Sequence, residues 1–369
     1  MAPHVIGTIS RSALEHLKPS GAASITELKN VSSYSWIDAP TPTIAVPGSP
    51  PLWSPPATDV RLRKDFGLYN IAENAARLPG SPMAPIFTAT FTTNPSFDVR
   101  PIDIICDRHN IRKLLSFIDP GSERYKNKKF NVKLEVVRNT LLLSRHEKAV
   151  TCYIGQDIFQ GHGHEFEKAY TTSQIHRSAG HYRIVSYCFC GLNFLVRHET
   201  DGFVSPNEGL LGQWKSPFPS STRRARPTEN TSLQNVKVLH KGHIVPLEST
   251  LEIKTCNKRR LLEFRHVASQ LWVSQTPQLV RAYYDEGRFS QPQVEDVGEK
   301  IQEWERNNQK NLRILGALFQ EIIRVMKGCG GRGMLRYDVA SASLIISSDK
   351  DQSDMLPKDL YSKWDEQES

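Results

Sequence analysis

The 369-residue chain contains no Cys-x-x-Cys pair, no internal repeat and no run approaching the roughly 20 apolar residues that span a bilayer. Its six cysteines (Cys106, Cys152, Cys188, Cys190, Cys256 and Cys329) are scattered. That spacing argues against a zinc ribbon and a disulfide scaffold and reads as reduced thiols in a reducing compartment. Cys188 and Cys190 alternate onto one face of a strand, as a packed apolar pair does. The opening residues, Met1 to Gly7, lack a basic head followed by an apolar stretch, so no secretory leader is expected. No Asp-Asp-x-x-Asp repeat is present to hold a diphosphate through Mg²⁺, which removes an isoprenoid synthase. Acidic residues are in the minority: 39 Asp and Glu stand against 47 Lys and Arg. The net charge of +8 and pI near 9.1 suit a polyanion such as nucleic acid. A soluble protein of the nucleus or cytoplasm, with no membrane partner, is expected. The basic stretches Lys126–Lys129 and Arg223–Arg226 are too short to specify nuclear import.

What is present is enough for a packed body. Hydrophobic residues make up 38%, with 15 Phe, 11 Tyr and 6 Trp. Residues 1–60 read as a Pro-rich, extended N-terminal arm. Within it, Ala23 to Leu28 suits an edge strand, and 38–57 carries too many prolines for a regular element. Residues 61–349 read as one α/β (α+β) domain, a mixed central sheet flanked by helices, and 350–369 as a polar tail. In the domain, Val99 to Cys106 is β-rich and Asn110 to Ile118 has helical spacing. Phe130–Arg138 with Thr140–Arg145, and Tyr182–Cys190 with Leu192–Glu199, read as hairpins. A short helix is expected around His164 to Thr171. Residues 203–246, rich in Pro, Ser and Arg, read as an insertion loop. Beyond it come a helix over Arg259–Trp272, a strand over Gln278–Tyr284, an amphipathic helix from about Glu299 to Lys327, and a late strand over Ser341–Ser347.

Two strand-like segments carry the chemistry. Glu199-Thr-Asp201 ends one, and Glu252-Ile-Lys254 lies inside another. Side chains two apart on a strand share a face, about 6–7 Å from each other. Three carboxylates and one ammonium converging on one face repel or strand each other unless a divalent cation sits among them. Phosphodiester cleavage needs a nucleophile at neutral pH and relief of charge at the reacting phosphorus; Mg²⁺ or Mn²⁺ supplies both, and carboxylates are their ligands. Glu199, Asp201 and Glu252 fit that role, and Lys254 would orient water or neutralise developing charge. The bland alternative is an exposed hairpin end and an ordinary surface ion pair.

Other positions carry a similar choice. Glu167, in Gly163-His-Glu-Phe-Glu167, either reaches metal or answers its helix N-terminus. Arg108, between a strand and a helix, either clamps a phosphate or pairs with Asp103 or Asp107. Gln270 either contacts substrate or faces solvent. His162-Gly-His164 is either a metal pair or two loop histidines. Lys258-Arg-Arg260, at the start of a helix, either tracks an RNA backbone or is a solvated face.

Taken in order, these fragments resemble the decapping exoribonuclease (DXO) family, which also contains the partner of the nuclear 5′→3′ exoribonuclease. Cys-Asp-Arg108-His-Asn-Ile-Arg is similar to its arginine motif. Gly-His-Glu-Phe-Glu167 resembles Gly-Φ-x-Φ-Glu, Glu199-Thr-Asp201 resembles Glu-Φ-Asp, and Glu252-Ile-Lys254-Thr resembles Glu-Φ-Lys-Thr. A glutamine, Gln270, follows at the family's offset. The likeness covers roughly residues 85–330. It implies a PD-(D/E)xK-like nuclease core holding two Mg²⁺ or Mn²⁺ ions on Glu167, Glu199, Asp201 and Glu252. It implies hydrolysis at RNA 5′ ends: removal of incomplete or NAD caps, pyrophosphate release, and 5′→3′ degradation in some members. Arg108 and Gln270 would hold the 5′ phosphates, Lys254 would assist in-line attack, and an exoribonuclease partner is implied. The chain departs from the pattern at His164 and Thr200, where apolar residues are usual, and in its long Asp201–Glu252 connector. A non-catalytic nuclease-fold protein that binds RNA ends or activates a partner is the alternative, and a DNA nuclease on the same core is a third.

Overall fold

The computed structural model describes residues 4–17, 23–121, 128–159, 161–205, 236–349 and 353–365. Eleven strands form its main sheet. Across it run His4–Ser10, Ser343–Ser348, Arg332–Asp338, Asn131–Val137, Thr140–His146, Ile104–Asp107, Leu192–Glu199, Ser178–Phe189, Thr26–Ile37, Thr43–Gly48 and Lys237–Gly242. Ile104–Asp107, near the middle, is parallel to both neighbours. A second sheet contains Thr250–Asn257 parallel to Gln278–Asp285, joined through the helix Arg265–Ser274. Parallel neighbours need such a crossover, because a tight turn cannot reverse the chain between them.

Alternation along the strands builds two cores. Ile104 and Cys106, Leu141 and Leu143, and Phe194 and Val196 point to one face, with helices Arg108–Ile118 and Gln309–Lys327 packed over it. Ile105, Leu142 and Leu195 point to the other face, under the helix Ala84–Thr93. A strand buried on both faces shows this split into two sets of period two. The mixed α/β body is the one expected from the sequence. No helix among the described residues is long and apolar enough to cross a membrane.

Several local expectations need correction. Residues 38–57 do contain a regular element, the buried strand Thr43–Gly48. Its ladder to Thr26–Ile37 uses Thr43, Ile44 and Ala45, where no proline stands to remove a donor. Thr26–Ile37 is interior, paired on both sides, and His4–Ser10 also joins the sheet. The expected arm therefore supplies strands to the core. The C-terminal segment is likewise docked: Met355, Leu356, Leu360 and Trp364 are buried, and Trp364 Nε1 donates to Thr140 Oγ1 at 2.7 Å.

The 299–327 helix is two helices, Gly298–Asn307 and Gln309–Lys327, separated at Asn308. The helix after Glu252-Ile-Lys254 starts at Arg265, so Lys258-Arg-Arg260 occupies an exposed turn before it. Of the expected insertion, Lys237–Gly242 is a strand beside Thr43–Gly48. Residues 206–235, with Arg223–Arg226, lie outside the described residues, as does Lys126. The strand Arg332–Asp338 was not foreseen: its alternating charged positions, Arg332 and Arg336, obscure a short apolar set.

Candidate active site

The site forms where two parallel strands of the main sheet end together. Ile104–Asp107 runs directly into the helix headed by Arg108, and the neighbouring strand ends at Glu199. Their register sets Arg197 against Asp107. The Arg197 side chain is 1% exposed; its Nε and Nη2 donate to Asp107 Oδ1 and Oδ2 at 2.6 and 3.0 Å, and its Nη1 to the Pro82 carbonyl at 2.8 Å. A two-point guanidinium–carboxylate pair of this kind fixes orientation as well as distance. Arg108 and Glu199 thereby leave the sheet at the same end.

Glu252 comes from the second sheet and is 1% exposed. A carboxylate removed from water requires charged or hydrogen-bonding partners. Arg108 Nη1 lies 3.1 Å from its Oε2, and Lys254 Nζ and Gln270 Nε2 both donate to its Oε1. Gln270 in turn accepts from Arg112 Nη1 at 3.1 Å, and Arg108 Nη1 also reaches Ser274 Oγ at 3.4 Å. Asp201, two residues past Glu199, accepts from the Ile253 amide at 2.8 Å, with Lys254 Nζ 3.8 Å away. The two short acidic motifs therefore meet. Glu252 and Lys254 are not an ordinary surface pair. Arg108 is drawn to Glu252, because Asp107 is taken by Arg197 and Asp103 accepts from the Asn193 amide.

The carboxyl groups influence one another. Glu199 is wetted by a cavity yet walled in by protein, and loss of bulk solvent followed by the charges of Asp201 and Glu73 pushes its carboxyl up to about 8. Asp201 is raised by burial and then by Glu252. Glu167, from the helix Gly163–Tyr170, is pushed well above the usual range by burial, then by Asp201 and Glu199. Glu252 goes the other way: burial opposes its charge, but Lys254 and Arg108 outweigh burial and hold it low. Three carboxyls resist ionisation although Lys254 and Arg108 act against the shift, because burial and their mutual repulsion outweigh those two cations; a cluster of carboxylate oxygens of this kind suits a divalent ion. The donor chemistry fits Mg²⁺ or Mn²⁺. Among the described residues, however, no three His, Cys, Asp or Glu side chains are arranged to hold an ion as they stand. Glu252 is turned toward protein donors.

A cavity of about 770 Å³ opens beside these groups, lined by Arg108, Arg112, Glu167, Glu199 and Asp201 among others. Glu252, Lys254 and Gln270 are outside its lining and connect to it through Arg108, Asp201 and Arg112. Gln270 is 8% exposed with both ends of its amide engaged, so it faces neither solvent nor the cavity directly.

Sequence reasoning passed over Arg112. Its spacing of four from Arg108 on one helix face was the available signal. Glu73, a cavity residue whose Oε2 accepts from Tyr182 at 3.1 Å, gave none. The His-x-His idea fails, since His162 Nδ1 is 2.8 Å from the Arg63 carbonyl and His164 stacks on Tyr69 with ring centres 4.0 Å apart. Thr200 is buried, and its hydroxyl has no partner among the described residues.

A family model described as "Domain of unknown function (DUF8563)" matches residues 4–364. No curated protein matches. Among solved structures, S. pombe Rai1 is similar at 13% identity and a TM-score of 0.57, covering 93% of this chain and 99% of its own. Scheffersomyces stipitis Rai1, in complex with (3′-NADP)⁺ and calcium ion, gives 11% identity and 0.62, covering 97% and 99%. Candida albicans Rai1, in complex with pU5-Mn²⁺, gives 11% and 0.55, covering 94% and 97%. Likeness over nearly the whole of both chains identifies the fold as that of the Rai1/DXO-type decapping nucleases. With the model spanning almost its full length, the chain belongs to the family described as a domain of unknown function, DUF8563.

Proposed function

We propose that this chain is a metal-dependent hydrolase of RNA 5′ ends, acting on incomplete, NAD-capped or triphosphorylated termini in 5′-end quality control. The observation that supports it is the meeting of Glu199-Thr-Asp201 with Glu252-Ile-Lys254, next to a cavity that Glu167, Glu199, Asp201 and Arg108 line. The complexes of the similar Rai1 proteins with pU5 and manganese, and with a dinucleotide and calcium, agree with such a substrate and a divalent ion.

Glu167, Glu199, Asp201 and Glu252 would hold two Mg²⁺ or Mn²⁺ ions. Ions held there would supply a water of lowered pKa and charge relief at the leaving oxygen. Arg108 and Arg112, four apart on one helix, both line the cavity and would clamp the 5′ phosphates. Lys254 stays protonated, since burial disfavours its charge but Glu252 and Asp201 outweigh burial. It therefore meets negative charge as it develops and gives up no proton. Gln270 ties Glu252 to Arg112 and keeps the ligand and phosphate sides in register. An exoribonuclease partner that degrades the trimmed RNA, and residence in the nucleus or cytoplasm, belong to the same reading.

Incubation of the purified chain and Mn²⁺ with 5′-triphosphate, NAD-capped and unmethylated-cap RNAs tests it. Product from at least one is expected; none from any, with metal bound, sinks the proposal. One feature favours a non-catalytic protein that binds RNA ends or activates a nuclease: Glu252 is already satisfied by three protein donors. RNA binding and partner stimulation that survive Glu199→Ala and Asp201→Ala would decide for that second reading.

A further inference from the structure

Six of the eight large apolar side chains exposed among the described residues lie on one small ribbon and its flanks: Phe66, Leu68, Ile71, Tyr153, Ile158 and Phe159. The ribbon is the antiparallel pair Gly67–Asn70 and Thr151–Ile154, which forms a sheet of its own. Its register sets Leu68 opposite Tyr153, so the two share a face, at 68% and 66% exposure. On the opposite face Tyr69 stacks on His164, pinning the ribbon to the helix that carries Glu167. Apolar surface left in water on this scale marks a contact surface.

Position and charge say what covers it. Leu68, Tyr69, Asn70 and Ile71 stand in the wall of the same cavity as Glu167, Glu199 and Asp201. Arg112, Arg145 and Lys168 stand in that wall too. Just outside, the Arg63 guanidinium, paired through Nε with Glu165 at 2.6 Å, lies 5.3 Å from the centre of the Phe66 ring, with its side chain 66% exposed. Flat apolar and aromatic surfaces interleaved with cations match a single-stranded nucleic acid, whose bases stack while its phosphates meet positive charge. Of the six exposed apolar side chains, Leu68 and Ile71 continue the patch into the cavity wall, where the proposed 5′ end would sit.

We propose that this ribbon is a stacking platform for the nucleotides that follow the 5′ end, an inference resting on the RNA reading above. Fluorescence anisotropy with the full chain and Ca²⁺ tests it, using 5′-phosphorylated dinucleotide and decanucleotide RNAs. The wild type should bind the longer RNA more tightly. Phe66→Ser with Tyr153→Ser, both outside the cavity wall, should weaken decanucleotide binding about tenfold and leave the dinucleotide unchanged. Tyr153→Phe alone should keep the gain. Both side chains are exposed, so the variants should keep the wild-type melting temperature. A wild type that gains nothing from length, or a double variant that keeps the gain, overturns the platform. A double variant that instead loses a co-purifying protein, with RNA binding intact, assigns the surface to that protein and overturns it as well. Binding alone decides this inference, whereas failure to hydrolyse any 5′ end would remove the proposed activity and leave the binding result standing.

Discussion

Arg197 and Asp107 stand in register on neighbouring parallel strands and form a two-point pair at 2.6 and 3.0 Å. One residue beyond Asp107 is Arg108, and two beyond Arg197 is Glu199. A half-buried ion pair thus sets the spacing between the basic and acidic sides of the cavity. The Tyr34 hydroxyl, 3.2 Å from Arg197 Nη1, completes the arrangement.

Removing Arg197 leaves the half-buried Asp107 carboxylate without its counter-charge at the cavity wall. Arg197→Met is expected to lower stability by about 3 kcal/mol. Urea unfolding measures this, and a loss well under about 1 kcal/mol would show that the pair has little part in holding the strands.

Lys254 bonds to Glu252 and lies 3.8 Å from Asp201. Lys254→Met should reduce kcat about 10²–10³-fold, with KM for a 5′-triphosphate RNA changed far less. Steady-state kinetics on an active wild type give both values. Near-normal kcat would mean that the ammonium serves only to neutralise Glu252.

The raised carboxyl of Glu199 makes stability depend on pH. Its folded value near 8 exceeds the ordinary carboxylate value, so the folded state binds more protons between the two. This group's contribution is then fully present in acid and is lost as pH rises toward and through 8. A divalent ion held as proposed at Glu199 would supply the missing positive charge, so the melting-temperature gain from Mn²⁺ should be larger at pH ~8 than at pH ~6. Glu199→Gln should raise the metal-free melting temperature at the higher pH while abolishing hydrolysis. Thermal melts with and without Mn²⁺ check the sign, and an equal gain at both pH values counts against a metal at this carboxyl.

Gln270 donates to Glu252 and accepts from Arg112. Gln270→Leu keeps the volume and removes both bonds, and the expected result is Mn²⁺ affinity reduced about 10–100-fold. Calorimetric titration of the metal reads this directly. Unchanged affinity with a raised KM would place Gln270 on the substrate side after all.

Much of the site could be read as short local patterns. The strand-to-helix junction at Arg108, the pairs Glu199/Asp201 and Glu252/Lys254, and the helix bearing Glu167 are visible because side-chain direction repeats every two residues in a strand and every 3.6 in a helix. Gln275, at φ 50°, ends its helix without a glycine, so neighbouring boundaries were harder to place.

By itself, then, the sequence determined which side chains share a face, where the β-α units fall, and which chemistry its acidic and basic words can perform. Tertiary structure alone decided their partners. Arg108 meets Glu252 across 144 residues, and no local period reports a contact at that separation. The same holds for the N-terminal strands: Thr43–Gly48 is buried because Thr26–Ile37 and Lys237–Gly242 close on either side of it, and a proline count on one segment cannot register neighbours that distant.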